Sequence, residues 1–244
     1  SAASDVYKRQ PQDIATRFER AMYAGGAQVA WYSVRPEFAA ARGCRAVAVA
    51  EESVLDCTAA PEFKGKKFQD VRTARNRAKK ENIHSVWTTW ADAGATLRNQ
   101  IIELSEDWVS NKKLPEMGFT LGGLPELDAP EVTLVLALDD AGTLHGVTSW
   151  LPVYRDGTLV GLTLDFMRRK TDGFRSVVEY LIAETQVAAH DQGLEWISLS
   201  GAPLVSSTEP TTMLEQILAR VRSYLEPLYG FKSLAAFKLS LIHI

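Results

Sequence analysis

Apolar residues recur along this chain with two different periods, and the changes between them mark out its elements. Helical spacing governs 91 to 112, where Leu97, Ile101, Leu104 and Trp108 fall three or four residues apart and share one face. Further helices are predicted at 11 to 24, 36 to 42, 68 to 81, 174 to 192 and 210 to 226, with Gly193 placed to cap the fifth of these six. Strand-length apolar runs occupy 28 to 34, 45 to 50, 84 to 90, 117 to 122, 131 to 139, 143 to 154, 158 to 167 and 194 to 200. Asp139-Asp140-Ala141-Gly142 and Arg155-Asp156-Gly157 are hairpin turns, so the three strands they join are expected to be antiparallel neighbours. The longest apolar runs, such as Val132 to Leu138, fall well short of the roughly 18 residues that a membrane-spanning helix needs.

One strand ends in charge. Leu162-Thr163-Leu164-Asp165-Phe166-Met167-Arg168-Arg169 is expected to bury Leu162, Leu164 and Phe166, yet it closes on a carboxylate and two guanidiniums. Unpaired buried charge is costly, so such groups at a strand end mark either an ion pair or a ligand. Lys170-Thr171-Asp172-Gly173 then opens a helix, and a helix N-terminus favours anions. A second basic feature gathers Lys64, Lys66, Lys67, Arg72, Arg75, Arg77, Lys79 and Lys80, offset by Asp70 and Glu81. Arg72, Arg75, Asn76 and Lys79 share a helix face, a stripe suited either to phosphate on a nucleic acid or lipid headgroup or simply to solvent.

Composition narrows the classes. The chain is 46% hydrophobic and 23% charged with a formal net charge of -3, a globular balance that excludes wholesale coating of nucleic acid. Cys44 and Cys57 lack metal-ligand spacing, and both are expected to be packing thiols in a reducing compartment. His84, His145 and His190 lie in no triad or metal spacing, and Trp87, Trp90, Trp108 and Trp150 are expected to fill cores.

The two ends carry a separate signal. Asp5-Val6-Tyr7-Lys8-Arg9-Gln10 is one translation of a common transposase-adapter sequence, and Leu239 to Ile244 is a translation of its reverse complement. Residues 1–10 and 239–244 are therefore expected to be library artefact, with the natural chain cut at both ends.

Several blocks together carry a resemblance. They are Phe18-Glu19-Arg20-Ala21, Ala30-Trp31-Tyr32-Ser33-Val34, Ala50-Glu51-Glu52-Ser53, Gly65-Lys66-Lys67 with Arg72 and Asn76, and Glu116-Met117-Gly118-Phe119-Thr120-Leu121-Gly122. After them come Asp165 to Arg169, Ser198-Leu199-Ser200-Gly201-Ala202-Pro203-Leu204, and two Phe-Lys pairs at Phe231-Lys232 and Phe237-Lys238. In order and spacing, they resemble the catalytic domain of the bacterial phosphatidylglycerol lysyltransferases, the lysylphosphatidylglycerol synthases. Ala50, Asn82 and Ser233 stand where that family usually has Gly.

The resemblance implies an α/β (α+β) fold of two tandem acetyltransferase-like lobes, each a mixed, largely antiparallel sheet flanked by helices. It places the end of a truncated first lobe at 11–83 and the catalytic lobe at 84–238. The implied reaction moves an aminoacyl group, lysyl foremost, from aminoacyl-tRNA to a phosphatidylglycerol hydroxyl at the cytoplasmic face of a bacterial membrane. One ester replaces another, so no cofactor, ATP or metal is chemically required. Coenzyme A is disfavoured, because Arg168 to Phe174 lacks the second small residue of a pyrophosphate loop.

The resemblance makes Asp165 and Glu116 the candidate catalytic carboxylates, with Arg168 and Lys238 for donor phosphate or oxyanion. Arg169, Lys232, Lys66, Lys67, Arg72, Arg75, Asn76 and Lys79 are the candidate substrate-binding residues. Membrane helices ahead of this domain are implied for the full-length protein. Transfer to a peptidoglycan precursor, or tRNA or lipid binding without catalysis, are the alternatives.

Overall fold

The structure is a computed structural model that describes residues 2–32, 34–45, 47, 50–110, 122–203, 216–217 and 220. The chain divides into two compact units, Ser1–Ala48 and Val49–Ile244.

In the first unit, helix α1 (Ala2–Ala24) and helix α2 (Pro36–Ala41) flank an irregular segment. α1 begins earlier than the expected residue 11, and the described part of 28–34 forms no strand. Aromatic and ionic contacts hold this segment instead. Trp31 lies 5.7 Å from Phe18 and 5.2 Å from Phe38, and its indole N–H donates to Glu19 Oε1 at 2.8 Å. Arg42 completes the knot by pairing with Glu19, whose carboxyl is held down at about 2 by that guanidinium.

The second unit is built on one sheet. Its described strands are β1 (Ala50–Asp56), β2 (His84–Thr88), β3 (Thr133–Leu138), β4 (Leu144–Arg155), β5 (Thr158–Arg169) and β6 (Trp196–Pro203). Their spatial order is β1-β6-β5-β4-β3-β2. β3 to β5 form an antiparallel meander, as the turns predicted, β2 adds antiparallel to β3, and helix α5 (Val177–Asp191) crosses over to bring β6 parallel to β5. β1, which starts where the sequence pattern expected a strand to end, closes the far edge antiparallel to β6.

Strand alternation sorts the core into two faces. Val135, Ala137, Leu162, Leu164, Ile197 and Leu199 face α5 and helix α3 (Gln69–Lys80), whose Val71, Ala74 and Ala78 are buried there. Leu134, Leu136, Leu138 and Val147 face helix α4 (Ala95–Ser110), against which Ile101 and Leu104 close with Leu127. α4 starts at Ala95 rather than at 91, because Thr89 and Asp92 bond each other in a turn ahead of it.

Candidate functional site

Pairing between β5 and β6 stops short of their ends, and that break builds the site. β5 and β6 pair in parallel only from Gly161–Trp196 to Thr163–Ser198, although β5 runs on to Arg169 and β6 to Pro203. Beyond that seam the strand ends diverge, and ligands enter parallel sheets at such strand ends.

Each strand also carries an extra residue at the divergence. Opposite β4, Leu164 pairs with Trp150 and Phe166 with Ser149, which leaves Asp165 as a bulge. The buried Ser149 hydroxyl accepts the Phe166 amide at 3.0 Å and fills the break in the ladder.

The bulge changes which way the strand faces. Leu162 and Leu164 belong to the α5-side core, whereas Phe166 belongs to the α4-side core. All three are buried as the sequence pattern expected, and one extra residue divides them between the two faces. Arg168 and Arg169, adjacent in the strand, point to opposite faces by ordinary alternation, and the bulge decides which face each takes. Arg168 is buried on the α4 side, and Arg169 is exposed at the rim of a cleft on the α5 side.

On the α4 side, the Arg168 guanidinium lies 3.9 Å from the centre of the Trp108 ring and 4.3 Å from that of Phe166. It also donates to the Met167 carbonyl at 2.9 Å. Stacking of this kind is worth about 0.5–2 kcal/mol and fixes the plane of the fork. Trp108, expected to be only a core filler, therefore orients a charged group. Helical spacing placed it on the correct face of α4, but nothing in the pattern said that a cation would meet it.

Asp165 is half-buried on this side. The amide of Gly122 donates to its carboxylate, while burial and then the neighbouring charge of Glu126 push its pKa above the usual carboxylate value. Gly122 is required by this approach, because a Cβ there would collide with the carboxylate oxygens and carbon of Asp165. Glu126 in turn accepts the Gly123 amide at 2.8 Å.

On the α5 side, a cleft of about 640 Å³ is lined by Met167, Arg169, Thr171, Arg175, Ser176, Val178 and Glu179. Ser176 makes no side-chain bond to the amides of α5, although the Val177 amide donates to the Phe174 carbonyl and the Glu179 amide to its own carboxylate. Glu179 is largely buried there, and desolvation raises its pKa against the opposing charge of Arg169. Arg175 and Glu179 were not singled out in the sequence. Their signal was position, immediately before and within the first turn of α5.

The basic stripe on α3 is partly committed to the fold. Arg72 donates to the carbonyls of Phe63 and Gly65 at 2.7 and 2.6 Å, and Arg75 pairs with Glu184 at 2.9 Å while lying over the Phe63 ring. Lys66, Lys67, Asn76 and Lys79 are exposed. The two faces of α3 thus differ from the simple cationic stripe that the spacing predicted.

Glu116, Lys232 and Lys238 lie outside the described residues, as does most of the expected helix at 210–226. His145 serves the fold, with Nε2 3.2 Å from Asp139 Oδ2, and His190 Nδ1 lies 2.9 Å from the Cys57 carbonyl. Cys57 is buried and its thiol is pushed up to about 11 by desolvation, while Cys44 is exposed, against the expectation that both would be packed. No three His, Cys, Asp or Glu side chains among the described residues converge to hold a metal ion. No helix among them is long and apolar enough to cross a membrane.

An antiparallel meander, a crossover helix and a parallel strand that splays away beside a bulged carboxylate define a fold of the acetyltransferase type. Residues 7–240 match the family described as phosphatidylglycerol lysyltransferase, C-terminal, and the chain belongs to that family. The match begins and ends inside the segments expected to be adapter-derived.

An uncharacterized protein of Corynebacterium glutamicum is 54% identical over 93% of this chain, which spans 29% of that relative's length. A lysylphosphatidylglycerol biosynthesis bifunctional protein of Rhodococcus jostii is 25% identical over 57% of this chain and is covered over 12% of its own length. Among solved structures, the L-PGS of Bacillus licheniformis shares the fold with a TM-score of 0.77 at 22% identity, covering 93% of this chain and 69% of that one. The C-terminal domain of a putative lysylphosphatidylglycerol synthetase from Agrobacterium fabrum does so with a TM-score of 0.72 at 22% identity, covering 94% of this chain and 69% of that one.

Proposed function

We infer that this chain is the transferase part of an enzyme that moves a lysyl group from lysyl-tRNA to a hydroxyl of phosphatidylglycerol. The observation that carries the reading is the bulged Asp165 at the mouth of the strand splay, beside the stacked Arg168, in a chain whose family match covers 7–240.

The chemistry is an ester exchange. The acceptor hydroxyl attacks the carbonyl of the aminoacyl ester, a C–O bond to lipid forms, the C–O bond to the tRNA ribose breaks, and the hydroxyl proton ends on the departing ribose oxygen. A carboxylate with a raised pKa is suited to carry that proton, because its basicity approaches the operating pH. Asp165 is given this role, with the Gly122 amide holding its ionised form in place. Arg168, fixed by Trp108, stabilises negative charge developing on the ester oxygen.

The cleft on the other sheet face is assigned to the phosphates at the 3' end of the donor. Arg169 and Arg175 supply charge there, beside the positive end of the α5 dipole. Exposed Lys66, Lys67 and Lys79 extend the cationic surface toward an anionic partner. Glu116, Lys232 and Lys238 keep the roles that the resemblance implies, as do membrane helices ahead of this domain and action at the cytoplasmic face, where the product makes the surface less anionic.

The test is incubation of the full-length protein with labelled lysyl-tRNA and phosphatidylglycerol vesicles. Label in the organic phase that disappears in Asp165→Asn supports the reading. Retained tRNA binding without lipid label refutes it and directs attention to peptide acceptors or to a binding role.

A further inference from the structure

The splay has a device that holds it open. β6 carries its own extra residue, since Glu52 pairs with Gly201 while Val54 pairs with Ser198. Ser200 lies in this irregularity with φ 61°, a left-handed conformation rarely adopted outside Gly, Asn and Asp. Its amide turns back to the Ser198 hydroxyl at 3.0 Å, and its own hydroxyl donates to the Leu164 carbonyl. Ser198 is fully buried, and its hydroxyl donates to Glu52 Oε1 at 2.5 Å. The Ser200 amide can only donate and the Leu164 carbonyl can only accept, so the Ser198 hydroxyl accepts from Ser200 and gives its own proton to Glu52.

These bonds run from β1 across β6 to the residue immediately before the Asp165 bulge. They replace ladder bonds that would be lost where the strands part, and so give partners to backbone groups that would be costly to leave unpaired. We propose that Glu52, Ser198 and Ser200 form a positioning relay that keeps β5 and β6 apart at a fixed spacing and holds the Asp165 bulge in register for transfer. The relay is a role for residues that do not themselves touch substrate, and its catalytic consequence rests on the lysyl-transfer reading.

The test uses the full-length protein with lysyl-tRNA and phosphatidylglycerol vesicles. Ser200→Ala removes the hydroxyl at unchanged backbone strain, Ser200→Gly removes it and relieves the strain, and Glu52→Leu removes the acceptor while Glu52→Gln retains one. A displacement of about 1 Å at reacting groups costs on the order of 100-fold. The expected result is a fall in kcat of about 10- to 100-fold for the first three variants, with KM for both substrates little changed and Glu52→Gln close to wild type. A kcat that survives in Ser200→Gly or Glu52→Leu overturns the relay, as does a loss confined to KM.

Amide hydrogen exchange in the same variants separates the two ideas. Faster exchange at 164–167, with β3 and β4 protection unchanged, is expected whether or not lipid is the acceptor. Unaltered exchange at 164–167 overturns the relay, whereas a wild type that labels no lipid overturns only the reaction assigned to it.

Discussion

Gly122→Ala tests whether the amide at this position sets the reactivity of Asp165. The added methyl would occupy the space of the carboxylate, so either the loop or the Asp165 side chain must move. In both cases the bond from the Gly122 amide is lost. A hydrogen bond to a charged group contributes about 1.5–3 kcal/mol, and each ~1.4 kcal/mol is a tenfold change in rate, which gives a loss of roughly 10- to 150-fold. Asp165 is half-exposed, so solvent partly substitutes for the amide and the lower end is expected. Initial rates of lysyl transfer, measured beside the thermal midpoint, separate a misplaced carboxylate from a damaged fold. The double variant with Asp165→Asn should be no slower than Asp165→Asn alone, because both act through one group. A Gly122→Ala enzyme within about twofold of wild type would refute the reasoning, as would losses that multiply in the double variant.

Other consequences follow from the same geometry. Burial raises the Asp165 carboxyl above 3.8, so the folded state holds its proton more tightly than the unfolded chain and ionisation opposes folding as pH climbs through that interval. Asp165→Asn should therefore raise the thermal midpoint at pH 7 while leaving only slow residual transfer, and the gain should shrink as the pH is lowered toward 3.8. Arg168→Lys keeps the charge but loses the planar stack on Trp108, and a fall in kcat of about tenfold or more is expected, with Trp108→Phe milder than Trp108→Leu. Ile101→Ala, at a fully buried site under α4, should cost about 2–5 kcal/mol in urea unfolding without altering tRNA affinity at temperatures where the protein stays folded. Arg175→Ala should weaken tRNA binding and lower the slope of log affinity against log salt by about one, whereas Arg72→Ala should change stability more than binding.

Much of the second unit was legible because its strands follow a strict period. Leu134, Leu136 and Leu138 alternate with Val135 and Ala137, and the flanking turns have residues that permit positive φ. The site was legible as composition but not as geometry. Asp165, Arg168 and Arg169 announced themselves as charge at a strand end, yet a bulge adds one residue without any residue-type signal, so alternation set the two arginines on opposite faces without telling which face each takes. Arg72 and Arg75 failed in another way. Spacing placed them correctly on α3, but their partners Phe63, Gly65 and Glu184 come from a preceding loop and a distant helix. The first unit resisted because Trp31, Phe38 and the Glu19–Arg42 pair organise a segment without regular backbone.

The pairing of β1 with β6 has a consequence for biosynthesis. Glu52 and Ser198, hydrogen-bonded in the finished sheet, are 146 residues apart in the chain. At about 5–20 residues per second, roughly 7–30 seconds pass between their emergence from a ribosome, during which β1 has no strand to pair with. β1 presents Glu51, Glu52 and Asp56 among its seven residues, and like charge on an unpaired edge discourages pairing with another nascent copy. The seven residues that wait longest for their partner thus carry their own protection against the wrong one.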